Sequence, residues 1–325
     1  MDNDMENTLA FITLTAFAVT AVAELALLPL LRRLKMGQSI LEIGPSWHMH
    51  KQGTPTMGGA AFLMTALFIL GLGTVAFGFN DKLFIYTILY ACLNGAVGAL
   101  DDTVKLKRRR NEGLSASAKL FYQLLLSSAY LLLLWRDGLV NGSIYIPFVG
   151  ISASLGAFYI PIGVLFLSGF TNAVNLSDGL DGLCSSVTAA CSLALCLLAV
   201  RFGQGSGAAV MCAVLGMTLA FLIFNRHPAK VFMGDTGSLF LGAAISAVSL
   251  TELGGAVLLV VGGVYLWEAL SVILQVGWYK LTKKRLFLMA PYHHHLERKG
   301  KSEVWITSVF TAVTLLLGAL TYAFA

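Results

Sequence analysis

The chain has 325 residues, 57% hydrophobic and only 12% charged, with a formal net charge of +5 and a mean hydropathy of +0.78. That composition excludes an ordinary soluble domain, and no nucleic-acid partner is expected. It predicts an all-α polytopic membrane protein, a single integral membrane domain over residues 1–325. A span needs about 20 apolar residues. Ten stretches qualify: 8–31, 57–79, 83–100, 117–135, 155–171, 184–202, 207–224, 237–253, 256–280 and 304–324. The N-terminus, MDNDMEN, is acidic and has no basic n-region, so 8–31 reads as a retained span rather than a cleaved signal.

Basic residues set the orientation. If the spans alternate, the loops after spans 1, 3, 7 and 9 hold four, six, two and seven Lys or Arg, 19 of the chain's 22. Lys35, Lys51, Lys105, Arg109, Arg110 and Lys119 are among them. The other side keeps Lys82, Arg136 and Arg201. The basic side is then cytoplasmic and both termini are outside. Segment 138–150, on the outer side, holds Asn141-Gly142 between β-prone residues, a signal for a small extracytoplasmic β-hairpin. Cys92, Cys184, Cys191, Cys196 and Cys212 sit in apolar surroundings without a CxxC pair and read as buried structural thiols. Gly254-Gly255 and Gly262-Gly263 are small enough for close helix packing, which permits a homodimer without proving one.

The polar residues gather in the loops of the basic side. Residues 48–59, HMHKQGTPTMGG, place His48, His50 and Lys51 before a turn, and Lys51, Thr54 and Thr56 are of a type that holds phosphate. The loop after span 3 starts with Asp101 and Asp102; adjacent carboxylates ionise together only beside a cation, which Lys105 or a divalent metal would supply. The run Lys107–Arg110 suits anionic lipid headgroups. Lys119 and Gln123, four apart, share one face of span 4. In 169–183, Asn172, Asn175, Asp178 and Asp181 recur every third residue, and Gly179 and Gly182 argue against a regular helix. That set suits a hydroxyl-rich ligand, a nucleobase or a metal. Pro228 stops the seventh span, and Asp235 opens the eighth as an N-cap or as a metal ligand beside a helix N-terminus able to take phosphate. His293, His294 and His295 are consecutive, so they share no helix face as zinc ligands would; their imidazoles suit phosphate binding or proton relay. Glu24 and Glu268 are the main charges inside spans, and the sequence gives neither a role.

The segments HKQGTPTMGG, GALDD with Lys105, SAKLFYQ, NAVNLSDGLDGL, FNRHPAKVFMGDTGS and PYHHHLERKG, in this order over residues 50–303, resemble the polyprenyl-phosphate N-acetylhexosamine-1-phosphate transferase superfamily. GTPTMGG and the triple His point to its muramoyl branch. Leu296 and Lys301 depart from the pattern, where an aromatic is expected. The resemblance implies a Mg²⁺-dependent transfer of phospho-MurNAc-pentapeptide from UDP-MurNAc-pentapeptide to undecaprenyl phosphate. The products are UMP and lipid I, formed on the cytoplasmic face of the bacterial plasma membrane for peptidoglycan synthesis. It implies Asp235 as the Mg²⁺ ligand, with Asp101, Asp102 and Asp178 as further candidates, and Asp101, Asp102, Asp235 and His293 as the catalytic set. Asp178, Gly179, Leu180, Asp181 and Phe232 would shape a uridine pocket. Lys51, Thr56, Asn175, Asn225 and the three histidines would surround the phosphates, with Lys105, Lys119 and Gln275 among the substrate contacts. Two rivals remain: a transferase loading GlcNAc-1-phosphate on the same lipid, and a cation-coupled transporter, which would carry its acids near mid-bilayer.

Overall fold

The computed structural model describes residues 3–34, 51–76, 81–108 and 113–325. His48, His50, Lys35, Arg109, Arg110 and the end of the second predicted span (77–79) lie outside the described residues. Twelve α-helices follow one another among the described residues: α1 (Asn3–Arg33), α2 (Ala60–Ala76), α3 (Lys82–Arg108), α4 (Ala116–Arg136), α5 (Tyr159–Leu176), α6 (Leu183–Arg201), α7 (Gly205–Asn225), α8 (Gly234–Glu252), α9 (Ala256–Val261), α10 (Gly263–Thr282), α11 (Tyr292–Arg298) and α12 (Glu303–Phe324). Local chemistry marks several starts. Ser115 accepts from Ala118 N at 3.2 Å to open α4, and Ser302 accepts from Trp305 N at 3.2 Å to open α12.

Seven of these helices are long and apolar enough to cross a membrane: α1, α3, α4, α5 with its lead-in, α6, α7 and α12. They expose large apolar side chains such as Leu14, Val22, Leu165 and Leu316, as lipid-facing helices do. The other three predicted spans fall short for separate reasons. The described part of α2 has 17 residues. The ninth span breaks at Gly262 into α9 and α10, and the break holds a glycine where a Cβ would stand 2.6 Å from the Leu258 carbonyl oxygen. Helix α8 has 19 residues but opens on the polar run Gly234–Ser238; it is buried at every residue from Thr236 to Leu250, as most of α6 and α7 is, so neighbouring helices surround it there.

Helix α8 packs against α3 and α5 at backbone distance. A Cβ on Gly98 of α3 would lie 2.1 Å from the Asp235 carbonyl oxygen, so only glycine lets the two helices meet there. The Gly58-Gly59 segment joins the same crossing: Gly58 N and Gly59 N donate to the carbonyls of Phe232 and Met233, at 2.9 Å each, and Phe232 N donates to Pro55 O at 2.8 Å. One end of the bundle therefore collects the ends of α3 and α5 and the starts of α4, α8 and α12. The opposite end carries Lys82 and Arg136, both paired with Asp137 at 2.8 Å, and the hairpin.

Several expectations need correction. Asp101, Asp102, Lys105 and Lys107 are not in a loop: α3 runs on through Arg108. Asn172 and Asn175 lie on α5, which ends at Leu176; only 177–182 forms the turn that the glycines signalled. The hairpin pairs β1 (Ser143–Ile146) with β2 (Ile151–Ser154), antiparallel, so its second strand lies beyond 138–150. Asn141-Gly142 is its entrance rather than its turn: Asn141 Oδ1 accepts from Ser143 N at 3.1 Å, and Leu155 N donates to Gly142 O at 2.8 Å. Gly254 and Gly255, at φ +80 and +73, make the turn between α8 and α9, where Gly254 packs on the Tyr145 backbone rather than on a helix. The five cysteines are free thiols, four of them buried and Cys92 partly so.

Candidate active site

The start of α8 is short of a cap: Met233 precedes it and offers no side-chain acceptor. The first backbone N–H groups of a helix are orphans and attract a negative charge. Asp102, from the last turns of α3, fills that role. Its Oδ1 accepts from Asp235 N at 3.2 Å, and its Oδ2 accepts from Thr236 N at 3.0 Å and Thr236 Oγ1 at 2.7 Å. Asp102 thus takes the N-cap role, one of the two readings of Asp235, and leaves the other open to Asp235. The same bonds occupy the N–H groups expected to take phosphate.

Freed from capping, Asp235 turns to a cationic rim. Its Oδ2 lies 3.1 Å from Lys105 Nζ and in direct contact with Lys119 Nζ, and its Oδ1 accepts from Asn175 Nδ2 at 3.1 Å. Asn175 also donates to Ser238 Oγ at 2.7 Å, which fixes its amide. Asp101, fully buried, pairs through Oδ2 with Lys105 at 2.7 Å and Lys119 at 3.2 Å. Its Oδ1 accepts from Leu114 N at 2.7 Å and pins the connection into α4. Oxygen atoms of Asp101, Asp102 and Asp235 lie within 4.8 Å of one another. Three carboxylates against two ammonium groups leave the cluster with one negative charge. Asp101 and Asp235, with Lys105, Arg108, Lys119 and Asn175, line a polar cavity of about 570 Å³.

Asp178 stands outside that trio, in the turn after α5. Among the described residues no hydrogen bond or ion pair reaches its carboxyl. Burial first, then the charges of Asp235, Asp102 and Asp181, push it up to about 7, with Lys105 opposing. Leu180 of the same turn is buried and Phe232 is half-buried. Thr56 Oγ1 lies 3.0 Å from where a Cβ on Gly234 would stand, at the mouth of α8.

Lys51 and Asp181 form a second cluster. Lys51 Nζ lies 2.7 Å from Asp181 Oδ1 and 2.6 Å from Glu303 Oε2, all three side chains nearly buried. Asp181 Oδ2 meets His227 Nδ1 at 3.1 Å and accepts from Ala229 N at 3.0 Å. In this structure Lys51 is a buried clasp joining the α1–α2 connection, the 177–182 turn and α12. Neither His227 nor Glu303 was picked out from sequence; nothing in their local sequence marks a partner 46 or 122 residues away.

Other expected contacts are engaged within the chain. Asn225 Oδ1 accepts from Gly182 N at 3.1 Å and Ser185 Oγ at 2.8 Å, while its Nδ2 donates to Val231 O at 3.0 Å. That amide holds the 177–182 turn against the segment leading to α8. Gln275 Oε1 accepts from Leu286 N at 3.0 Å and Phe287 N at 2.8 Å, bracing the connection after α10. The triple His, expected in a loop, spans the start of α11. His294 Nδ1 lies 2.6 Å from Glu297 Oε2. His295 Nδ1 accepts from Leu288 N at 3.1 Å, and its ring stacks on Tyr292. Burial, then Lys299, hold the His295 imidazole below the usual histidine range. His293 is buried, with Nδ1 2.8 Å from Glu268 Oε2.

Residues 84–252 match glycosyl transferase family 4. That places the chain among membrane-embedded transferases, in keeping with a polar centre at one end of an apolar bundle. Curated relatives narrow the class. The phospho-N-acetylmuramoyl-pentapeptide-transferase of Clostridium kluyveri is 44% identical over 311 residues, covering 95% of this chain and 96% of its own. Those of Clostridium novyi and Halalkalibacterium halodurans are each 40% identical, over 304 and 320 residues, covering 94% and 97% of this chain and 93% and 97% of their own. The chain belongs to the phospho-N-acetylmuramoyl-pentapeptide-transferase family.

Proposed function

We propose that this protein transfers phospho-MurNAc-pentapeptide from UDP-MurNAc-pentapeptide to undecaprenyl phosphate, on the cytoplasmic side of the bacterial plasma membrane. An oxygen of the lipid phosphate bonds to the sugar-linked phosphorus. The bond between that phosphorus and the bridging oxygen breaks, UMP leaves with that oxygen and the electron pair, and lipid I remains. The observation that carries the reading is the convergence of Asp101, Asp102 and Asp235 with Lys105 and Lys119 at one end of the bundle. A transporter would need its acids along the spans, and the five aspartates instead share one end. With ten spans, that end faces the cytoplasm and both termini face outward.

The donor set suits Mg²⁺, which prefers one or two carboxylates and phosphate oxygens. Asp235 and Asp101 are the residues to hold it: hard oxygens in a cluster that keeps a residual negative charge, with Asp102 committed to α8. Such an ion, when bound, supplies charge neutralisation for the diphosphate and the departing UMP.

The protein's own groups do the rest by position and charge, which is most of what phosphoryl transfer requires. Lys105 and Lys119 can leave the carboxylates for phosphate oxygens as substrate enters, because both project into the cavity. Asn175 fixes the direction of Asp235. Asp102 fixes the start of α8 and is no free base. A strong base is not needed: a phosphate monoester has a second pKa of about 6, so the lipid phosphate is largely ionised near neutral pH. Direct attack is thereby favoured over a covalent aspartyl intermediate. The 177–182 turn with Phe232 forms the uridine side, where Phe232 offers a ring for stacking on uracil. UDP-MurNAc-pentapeptide and UDP-GlcNAc, supplied separately with undecaprenyl phosphate to purified protein, should release UMP from the first alone. Release from UDP-GlcNAc alone would make this the related GlcNAc-1-phosphate transferase.

A further inference from the structure

Glu268 sits inside α10, fully buried, with no role given by the sequence. The start of α11 supplies one. His293 N donates to Glu268 Oε1 at 3.1 Å, and His293 Nδ1 lies 2.8 Å from Glu268 Oε2. The carboxylate can only accept, so Nδ1 carries the hydrogen and the ring has one orientation. The other ring nitrogen, Nε2, is buried and has no hydrogen-bond partner. It faces Gly179, where a Cβ would stand 2.2 Å from it; the turn carrying Asp178 has a glycine where the ring needs room. A buried polar atom left unpaired is costly, and native structures seldom keep one without a use for it. A ring needed only for packing would not require a carboxylate to hold its tautomer.

We infer that Glu268 is a positioning residue for His293: it fixes the Nδ1–H tautomer and holds Nε2 against the 177–182 turn as a hydrogen-bonding atom for the nucleotide-sugar substrate whose uridine side that turn forms. In a neutral ring Nε2 accepts from a hydroxyl or amide N–H of that substrate; in a protonated ring it donates to a phosphate oxygen. Glu268 fixes which nitrogen is presented in either state. The inference rests on the transferase reading above.

UMP release by wild type, Glu268→Gln, His293→Ala and the double variant tests it, with rates counted per monodisperse protein. Glu268→Gln should lower kcat by roughly 10- to 100-fold, on the scale of removing the carboxylate that orients a metal-ligating histidine. The KM for undecaprenyl phosphate should stay within about twofold. If Glu268 acts through the ring, the double variant is no slower than His293→Ala. A merely structural Glu268 would slow the double variant by a further factor as large as in wild type, and that result overturns the inference, as does a Glu268→Gln rate within twofold of wild type. Should Glu268→Gln fail to fold, Glu268→Asp takes its place in the same comparison under the same criteria. Wild-type protein that releases no UMP would instead strike the transferase reading itself.

Discussion

Asp235→Asn should lower UMP release by about 10³-fold or more while the protein extracts from membranes as wild type does. The scale is that of removing one preorganised electrostatic group from a reacting centre, about 10²–10³-fold, or about 2.7–4 kcal/mol. Here one substitution removes more than one interaction. Asp235 faces both Lys105 and Lys119, and it is the least buried of the three clustered carboxylates, with 15% of its side chain exposed to the cavity. An amide in its place offers one weak oxygen to a cation and turns its own N–H groups toward two ammonium ions. The fold is insulated because Asp102, not Asp235, caps α8. Size-exclusion profile and thermal unfolding in detergent, run beside the UMP assay, separate the two effects. Wild-type turnover in Asp235→Asn would remove Asp235 from the chemistry.

Chelation should have an effect as large. EDTA in excess is expected to stop UMP release, and Mg²⁺ added beyond the chelator to restore it. Without a divalent ion, Lys105 and Lys119 remain the cations nearest the three carboxylates, and phosphate must compete for them against Asp101 and Asp235. Hard oxygen donors and a residual negative charge are what a divalent ion neutralises. A dose of Mg²⁺ that restores wild type and leaves Asp235→Asn inactive would tie the ion to that side chain. Turnover that survives thorough chelation would mean that the lysines alone carry the charge.

Some of this was legible in the residues and some was not, for physical reasons. Long apolar runs reported α1, α4, α6, α7 and α12 because lipid demands continuous apolar surface. The burial of α8 and the break between α9 and α10 were not legible, since hydropathy does not distinguish a helix surrounded by protein from one surrounded by lipid. The clustering of Asp101, Asp102 and Asp235 was foreseen; its division of labour was not. Which carboxylate caps α8 depends on the close crossing at Gly98, which spacing along the chain does not reveal. Asn225 and Gln275 came in as substrate contacts through the resemblance alone. The folded neighbourhood adds that both amides brace turns. The partners of Lys51 were not legible either, since Asp181 and Glu303 lie far along the chain. Glu268 stood out as a charge inside an apolar helix, the strongest hint of function left over, and its partner at His293 appears only once α10 and α11 pack.

The central claim is a transfer between two substrates at the mouth of α8, and labelled UMP measures it. Protein mixed with UDP-MurNAc-pentapeptide labelled in the uridine should release UMP when undecaprenyl phosphate and Mg²⁺ are present, and almost none when the lipid is left out. UMP appearing at the same rate without the lipid, or none appearing with every component supplied, would contradict it.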